Sequence, residues 1–302
     1  MLAYNRTPFQ ELHFSLLDKA GVRLLVKRED LNHPYVSGNK WWKLKYNLEE
    51  ANRTGKKALL TFGGAYSNHI HATAAAAHEL GLDSIGIIRG EETLPLNPTL
   101  AFATRCGMKI HYVSREAYRT KNEPTFIRQL HDRFGNFYAI PEGGTNEMAV
   151  KGVAEFAGNL LAGIEFDILC LSVGTGGTMA GIIQAFKESK NVLGFPALKG
   201  GEFLRDEIKK YLAPDYGNWS LIMSYHHGGY GKVTLELLDF VESMRATHNL
   251  PLDRVYTAKM LWGIMKEIEK GRFTKGTTIL VLHTGGLQGN SSTQPGTMPI
   301  EC

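Results

Sequence analysis

The segment DILCLSVGTGGT, residues 167–178, joins a short apolar run to a glycine-rich turn and a helical segment. The run 167–173 predicts a buried strand, because its centre is continuously apolar and parallel strands are covered on both faces. Residues 178–189 predict a helix that starts directly after the glycines. A strand, a tight turn and a helix in this order form a crossover unit, so the segment indicates a parallel α/β sheet.

The same alternation of strands and helices extends along most of the chain. Before it begins, only residues 22–27 predict a strand. One series of predicted elements covers residues 44–141 and a second covers residues 142–295. We therefore predict an α/β fold with two domains, built on open, mostly parallel, twisted sheets flanked by helices. The predicted small domain is residues 44–141, and the large domain combines residues 1–43 with 142–302.

The composition is that of an ordinary globular protein. Of the 302 residues, 43% are hydrophobic and 21% are charged, and the formal net charge is +4. The chain has no block of like charges and no apolar run near the roughly 20 residues that span a bilayer, so we expect neither a nucleic-acid nor a membrane partner. The histidines are scattered outside metal-ligand spacing, so we predict no metal site.

The cysteines and the two ends of the chain bear on the compartment and on order. Cys106 and Cys170 lie in or beside apolar runs, and Cys302 ends the sequence without any CxxC pair. We expect packed thiols, which suit the reducing cytoplasm. The first ten residues are polar and contain Pro8, so we expect no signal peptide. The polar tail from Ser291 is predicted to be loosely ordered.

The glycine-rich turn predicts a phosphate site. Glycines let backbone N–H groups converge, and the N-terminus of the following helix adds partial positive charge. Met179 occupies the sixth position of a dinucleotide fingerprint, and the chain has no Walker A sequence, so a nucleotide is not indicated. A tight turn that needs glycine for its conformation would explain the loop alone equally well. The candidate phosphate ligands are Gly174, Thr175, Gly176, Gly177 and Thr178.

A second segment, SGNK at residues 37–40, lies between a turn and a helical run that starts at Trp41. If Lys40 packs against apolar surface, burial favours its neutral amine, and a neutral amine attacks a carbonyl to form a Schiff base. The ordinary alternative is that Lys40 is a solvated lysine like its neighbours Lys43 and Lys45.

Polar side chains also follow other predicted strands. Ser67 and Asn68 lie at a strand-to-helix junction, where an amide can donate to a phenolate oxygen and a hydroxyl can bind a carboxylate. A helix cap is the plainer role for Ser67. Thr284 follows the last strand, where its hydroxyl could hydrogen-bond a pyridine nitrogen or simply support a Gly-Gly turn. Tyr230 and Tyr256 are candidate proton donors or acceptors, or stacking partners, although tyrosines more often simply pack.

Together these segments resemble the fold-type II pyridoxal-phosphate enzymes, the tryptophan synthase β group. Within that group the chain is similar to the family of 1-aminocyclopropane-1-carboxylate deaminase and D-cysteine desulfhydrase. The resemblance extends over most of the chain, and its specificity lies in the order and spacing of the motifs. These motifs are KREDL (27–31), SGNK (37–40), SNH (67–69), GTGGT (174–178) and HTGG (283–286).

The resemblance implies pyridoxal 5'-phosphate as the cofactor, bound by the large domain. It implies that Lys40 binds the cofactor aldehyde, that Asn68 contacts the ring oxygen and that Thr284 faces the ring nitrogen. The glycine-rich turn 174–178 would hold the phosphate. The resemblance also implies a homodimer and a small amino-acid substrate, contacted by Ser67, Tyr230 and Tyr256.

Some positions distinguish members of this family. Trp42 stands where arginine is usual, and His71, a candidate for a charge contact, stands where arginine often follows the SNH motif. Thr257 follows Tyr256, as in the desulfhydrase-like members, whereas the true deaminases carry glutamate there. Thr284 also follows the desulfhydrase-like group.

The resemblance therefore implies a lyase that eliminates thiol from D-cysteine and yields pyruvate, sulfide and ammonia. The first alternative is a deaminase, of the hydrolase class, that opens 1-aminocyclopropane-1-carboxylate to 2-oxobutyrate and ammonia. Dehydration of a hydroxyamino acid is a third possibility on the same frame. From a different class, the alternative is a non-catalytic protein that binds a phosphate-bearing ligand.

Overall fold

Strands and helices alternate along the computed structural model, which describes residues 2–214 and 216–293. The strands, in chain order, are β1 (Phe9–Leu12), β2 (Arg23–Lys27), β3 (Ala58–Gly63), β4 (Asp83–Arg89), β5 (Lys109–Val113), β6 (Tyr138–Ile140), β7 (Ile168–Val173), β8 (Asn191–Pro196), β9 (Trp219–Leu221) and β10 (Thr278–Leu282). The helices are α1 (Ser15–Ala20), α2 (Asn39–Arg53), α3 (Asn68–Glu79), α4 (Pro98–Arg105), α5 (Arg115–Arg119), α6 (Pro124–Phe134), α7 (Glu147–Gly163), α8 (Gly177–Phe186), α9 (Leu204–Lys209), α10 (Leu235–His248) and α11 (Thr257–Glu269).

These strands form two sheets. The larger sheet has the order β1-β2-β10-β7-β8-β9, and the smaller sheet has the order β5-β4-β3-β6. Every described pair of neighbouring strands is parallel except β1 and β2, which are antiparallel. Mostly parallel sheets flanked by helices are the α/β fold that the sequence predicts, and this prediction is confirmed.

Strand β7 shows how the core forms on both faces of the larger sheet. Leu169 and Leu171 pack in one cluster with Ile182 of α8, whereas Cys170 packs in another with Leu261 of α11. All three β7 side chains are fully buried. Because side chains alternate along a strand, a sheet covered by helices on both faces requires this continuous apolar run.

The N-terminal part of the chain contains a strand that the sequence does not predict, and part of the C-terminal tail lies outside the described residues. Strand β1 is not predicted, because only Leu12 of its four residues is buried and an edge strand carries little periodic signal. The predicted loose tail starts at Ser291. Residues 287–293 form a short 3-10 helix, and residues 294–302 lie outside the described range. The division into two domains, with residues 44–141 as the small domain, stays a proposal. It is supported by the smaller sheet, because all four of its strands come from residues 58–140.

In the described ranges, no helix combines the length and the apolar character needed to cross a membrane. The carboxyl ends of β3, β7 and β10 lead to one cavity, where the N-terminal turns of α2, α3 and α8 also lie. Open parallel sheets bind ligands at this edge, because loops and helix N-termini converge there.

Candidate active site

The cavity brings nearly all of the predicted site residues together. Its wall includes Lys40, Ser67, Asn68, Gly174, Thr175, Gly176, Thr178, Tyr230, Tyr256 and Thr284. Gly177, which is not part of this wall, is the first residue of α8. The roles assigned to these residues stay predictions. Apart from Tyr230, which lies in a loop, their convergence follows from their placement at a strand end or a helix start.

Lys40 lies in the first turn of α2, which begins against the end of β10. Gly38 precedes this turn with φ 68 and ψ −143, and any Cβ at Gly38 would overlap the Thr284 carbonyl oxygen. Asn32 fixes the turn, since its Oδ1 accepts from Gly38 N at 2.9 Å and its Nδ2 donates to Gly38 O at 3.0 Å. Glycine is therefore required for α2 to start where it does and to present Lys40 to the cavity.

The environment of Lys40 favours a neutral amine. Its Nζ donates to Asn39 Oδ1 at 3.0 Å, and Asn39 Nδ2 donates to Thr178 Oγ1 at 2.8 Å. Burial lowers the pKa of Lys40 to about 8, with the Asp253 carboxylate acting in the opposite direction. At pH 7 a pKa of about 8 leaves roughly a tenth of the amine neutral, many times more than for an ordinary lysine.

Lys43 is a site residue that the sequence pattern did not single out. Its side chain is buried, and its Nζ donates to Gly143 O and, at 2.7 Å, to Thr145 Oγ1. Thr145 Oγ1 in turn lies 2.6 Å from Thr175 Oγ1 in the glycine-rich turn. Burial, with the Lys40 charge, lowers the pKa of Lys43 well below its usual value. Its spacing of three residues from Lys40 places both on one face of α2 and is the signal that could have found it.

The glycine-rich turn forms the N-terminus of α8 with no side-chain cap from the described residues. Gly176 has φ 84, and a Cβ there would come within 2.9 Å of Ile208 Cγ1. A Cβ at Gly177 would come within 2.7 Å of Thr145 Cγ2. The backbone therefore approaches its neighbours as only glycine allows, and the N-terminal N–H groups of α8 suit the phosphate that the sequence predicts there.

Ser67 and Asn68 lie at the N-terminus of another helix, α3. Ser67 Oγ accepts hydrogen bonds from His69 N at 3.2 Å and Ile70 N at 3.3 Å, so its predicted role as the cap of α3 is confirmed. Asn68 Oδ1 accepts from Gln288 Nε2 at 2.7 Å. This bond fixes the orientation of the amide and leaves its nitrogen as the donor.

His69 lines the cavity and carries a buried acceptor that the sequence analysis missed. Thr61 Oγ1 donates its only proton to Ile140 O at 2.8 Å, so at 2.8 Å it accepts from His69 Nε2. The other ring nitrogen, Nδ1, is then an unprotonated acceptor, and it is buried with no hydrogen-bond partner in the described structure. Burial, together with the charges of Lys40 and Lys43, lowers the pKa of His69 well below its usual value and keeps the ring neutral.

The opposite side of the cavity carries hydroxyls. Thr284 Oγ1 lies 3.2 Å from Ser172 Oγ, and both residues are buried. Within the described residues, the cavity wall contains no aspartate or glutamate. Asp253 lies behind the wall, where it accepts hydrogen bonds from Tyr256 N at 2.7 Å and Thr257 N at 2.8 Å.

Two tyrosines close the cavity. The rings of Tyr230 and Tyr256 meet edge to face with centroids 6.0 Å apart. Tyr256 packs against the glycine-rich turn, because a Cβ at Gly174 would come within 3.2 Å of its ring. Burial, followed by contact with Tyr230, raises the pKa of Tyr256 well above its usual value, so its phenol keeps its proton.

The two positions at which the chain departs from the pattern of the family it resembles, Trp42 and His71, lie outside the cavity wall. Trp42 is buried and donates from Nε1 to Glu29 Oε2 at 2.8 Å, so an indole N–H satisfies that carboxylate. His71 stacks on Phe102 with ring centroids 3.9 Å apart, and burial lowers its pKa to about 4. A buried neutral histidine cannot make the charge contact for which the sequence made it a candidate.

The donor set fits pyridoxal 5'-phosphate. The start of α8 and Lys43 could hold the phosphate, Lys40 the aldehyde, Asn68 the ring oxygen and Thr284 the ring nitrogen. No group of three or more His, Cys, Asp or Glu side chains in the described parts of the chain could hold a metal ion.

The cavity lies at the carboxyl ends of strands from two mostly parallel sheets, and Lys40 and the N-terminus of α8 both line it. This arrangement is the one expected of the pyridoxal-phosphate enzymes of the tryptophan synthase β type. Residues 1–285 match the model of the family described as pyridoxal-phosphate dependent enzyme, and the chain belongs to this family. The predicted enzyme class and cofactor are confirmed.

Several relatives resemble the chain over nearly its whole length. A bifunctional D-cysteine desulfhydrase/1-aminocyclopropane-1-carboxylate deaminase, mitochondrial, of Arabidopsis thaliana is 30% identical over 95% of this chain and 78% of the relative. A D-cysteine desulfhydrase of Yersinia pestis is 26% identical over 94% of this chain and 92% of its own. The crystal structure of an ACC deaminase homologue superimposes with a TM-score of 0.80 at 28% identity, covering 96% of this chain and 92% of that chain. The predicted resemblance is thereby confirmed.

Proposed function

We propose that this enzyme eliminates thiol from D-cysteine, with uptake of one water, to give pyruvate, hydrogen sulfide and ammonia. The observation that carries the proposal is the hydroxyl pair of Ser172 and Thr284, 3.2 Å apart, in a wall without a carboxylate among the described residues. When bound, pyridoxal phosphate supplies an electron-accepting ring, and weaker acceptance by an unprotonated ring nitrogen favours prompt loss of a β-leaving group. A hydroxyl can hydrogen-bond that nitrogen without protonating it.

Lys40 is the residue we assign to proton removal at the substrate α-carbon. Its lowered pKa, to about 8, supplies a neutral amine near physiological pH, which is the state that accepts a proton. The bond from its Nζ to Asn39 Oδ1, at 3.0 Å, holds the amine in the cavity. Tyr230 or Ser67 could assist from the other face.

Tyr256 is suited to donate a proton to the departing sulfur. Its phenol stays protonated because burial raises its pKa well above the usual value. Its position against Gly174 keeps the hydroxyl at the cavity rather than in solvent. Asn68 and Ser67, at the start of α3, would orient the cofactor ring and the substrate carboxylate.

Ring opening of 1-aminocyclopropane-1-carboxylate is the second candidate function, and one observation weakens the argument against it. The desulfhydrase-like members also carry threonine at the position of Thr257, and this similarity argues against ring opening. Thr257 nevertheless lies outside the cavity wall. Its Oγ1 accepts from Asp253 N at 2.8 Å, so it serves the start of α11. The contrast between threonine and glutamate at this position therefore rests on resemblance alone.

Product analysis separates the two functions. The cofactor-loaded enzyme is incubated with D-cysteine, L-cysteine and 1-aminocyclopropane-1-carboxylate in turn, and pyruvate, sulfide and 2-oxobutyrate are quantified. We expect pyruvate and sulfide in equal amounts from D-cysteine. Turnover of the cyclopropane acid alone, with 2-oxobutyrate as product, would contradict the proposal and support the second candidate.

We further propose that the enzyme is a homodimer in the cytoplasm and that it acts on small amino acids. The assembly is supported by the family resemblance, and the compartment by the buried positions of Cys106 and Cys170. Light scattering coupled to size-exclusion chromatography tests the assembly, for which a mass of twice 33.5 kDa is expected. Fractionation of the source cells tests the compartment.

A further inference from the structure

Lys259 is a buried cation outside the cavity wall. Its side chain is 2% exposed, and its Nζ donates to the carbonyl oxygen of Gly229 at 2.8 Å. Burial lowers its pKa to about 8, and the Asp253 carboxylate opposes this shift. A buried ammonium is costly unless it is paired and hydrogen-bonded, so the bond to Gly229 is a substantial interaction.

The partner carbonyl belongs to a loop that has little regular structure of its own. The loop HHGGYG, residues 226–231, bonds locally through Gly229 N to His226 O at 3.0 Å, and Lys232 N donates to Gly229 O at 3.1 Å. Four of its six residues have positive φ, and these are His227 (φ 49), Gly228 (φ 90), Gly229 (φ 119) and Gly231 (φ 72). Such a backbone depends on contacts from outside the loop for a fixed position.

The same loop carries Tyr230 into the cavity wall. Gly229 is buried, whereas the adjacent Tyr230 is 46% exposed and meets Tyr256 edge to face. Tyr256 immediately precedes α11, three residues before Lys259, a spacing that places both on one face of the helix. Helix α11 and the residue before it therefore contact this loop at three points. Tyr256 meets Tyr230, the Lys259 ammonium bonds Gly229 O, and Trp262 meets His227 edge to face with centroids 6.0 Å apart.

We propose that Lys259 is a positioning residue that fixes the 226–231 loop, and with it Tyr230, over the substrate cavity. This role of Lys259 rests on the proposed function in one respect, which is that Tyr230 faces the substrate. Lys259 acts through Gly229 and does not touch the reacting atoms.

Replacement of Lys259 by methionine tests this role. Lys259→Met keeps most of the buried volume but leaves the Gly229 carbonyl without its charged donor. We expect amide hydrogen exchange in residues 228–232 of the cofactor-loaded protein, without substrate, to accelerate at least about tenfold, while β7 and α8 stay unchanged. We also expect KM for the turned-over amino acid to rise about tenfold, with a smaller change in kcat.

The control is Lys266→Met on the same helix, whose Nζ bonds Glu269 Oε2 at 2.9 Å on the exposed side. It should leave the exchange of the loop and KM unchanged. Lys259→Arg is the second variant, because it keeps a buried cation and donor, and it should restore most of the loop's protection. If Lys259→Met fails to fold, Lys259→Arg still tests whether a buried cationic donor fixes the loop. We expect Lys259→Arg to fold and its loop to stay protected from exchange.

A double variant distinguishes positioning from general stabilisation. If Lys259 acts through Tyr230, the loss of kcat/KM in Lys259→Met/Tyr230→Ala should be no larger than in Tyr230→Ala alone. Additive losses, or unchanged loop exchange in Lys259→Met, would overturn the proposal. If none of the amino acids is turned over, the proposed function fails, and the exchange measurement still decides the role of Lys259.

Discussion

Helices α3 and α8 both start at the cavity, but their N-termini differ. Ser67 caps α3 by accepting from His69 N and Ile70 N, whereas α8 begins at a glycine turn without a side-chain cap from the described residues. A helix start whose N–H groups are already bonded cannot offer them to a ligand, and an uncapped one can. The difference supports the proposal that the anion binds at α8, while α3 presents side chains to the cavity.

The largest effect is expected at Lys40, which lines the same cavity as both helix starts. Lys40→Ala removes the amine that we assign to the cofactor aldehyde and to the α-proton, so turnover should fall by about a thousandfold or more. Steady-state rates measure this loss. Lys45→Ala is the control, because Lys45 lies outside the cavity wall and pairs with Glu155 at 2.7 Å. Turnover of Lys40→Ala at the parent rate would contradict the assignment.

A glycine pair sharpens the assignment of the anion to α8. Gly176→Ala places a methyl group at φ 84 and within 2.9 Å of Ile208 Cγ1, so the affinity for pyridoxal phosphate should weaken about tenfold to a hundredfold. Gly55→Ala has the same kind of backbone strain, at φ 66, but open space around it and no place in the cavity wall. Cofactor titration should show weaker binding only in Gly176→Ala. Equal binding by both variants would remove the distinction between α8 and α3.

The pH dependence of cofactor attachment tests the state of the amine between the two helices. Because burial lowers the pKa of Lys40 to about 8, the neutral fraction rises as the pH passes through that value. The attachment rate to cofactor-free protein should rise about tenfold between pH 7 and pH 9 and then level off. Visible absorbance after rapid mixing follows this rate. A rate that still rises about sevenfold between pH 9 and pH 10 would indicate an ordinary lysine.

The smallest effect is expected at the capped helix. Ser67→Ala removes the bonds to His69 N and Ile70 N and should lower the free energy of unfolding by about 1 kcal/mol, with unchanged affinity for pyridoxal phosphate. Ser114→Ala, which removes the cap of α5 away from the cavity, is the matched control. Denaturant unfolding should show a similar loss in both. Only Ser67→Ala should raise KM, and weaker cofactor binding in that variant would place the anion at α3 as well.

Much of the fold and the location of the site could be predicted, because both depend on local patterns. Alternating strands and helices specify a parallel sheet, and the polar motifs lie where strands end, so they share one edge. Strand β1 could not be predicted, since its pairing with β2 leaves three of its four residues unburied.

The missed residues owe their roles to contacts between distant parts of the chain. From the sequence alone, Lys43 would be interpreted as a surface lysine. Its role depends on hydrogen bonds to Gly143 and Thr145, which lie about a hundred residues further along the chain. The tautomer of His69 depends on Ile140 O through Thr61, and the bond of Lys259 depends on a loop near Gly229. None of these partners leaves a periodic signal in the sequence. The roles of Lys40, Asn68 and Thr284 stay predictions.

The most direct test of the central claim is to locate the cofactor on the chain. The purified protein is loaded with pyridoxal phosphate, reduced with borohydride, digested and examined by mass spectrometry. The competing amines are Lys43 and Lys259, whose pKa values are also lowered by burial. We predict the cofactor on the peptide that contains Lys40, at that residue. A cofactor on Lys43 or Lys259, or a protein that carries none, would contradict the account.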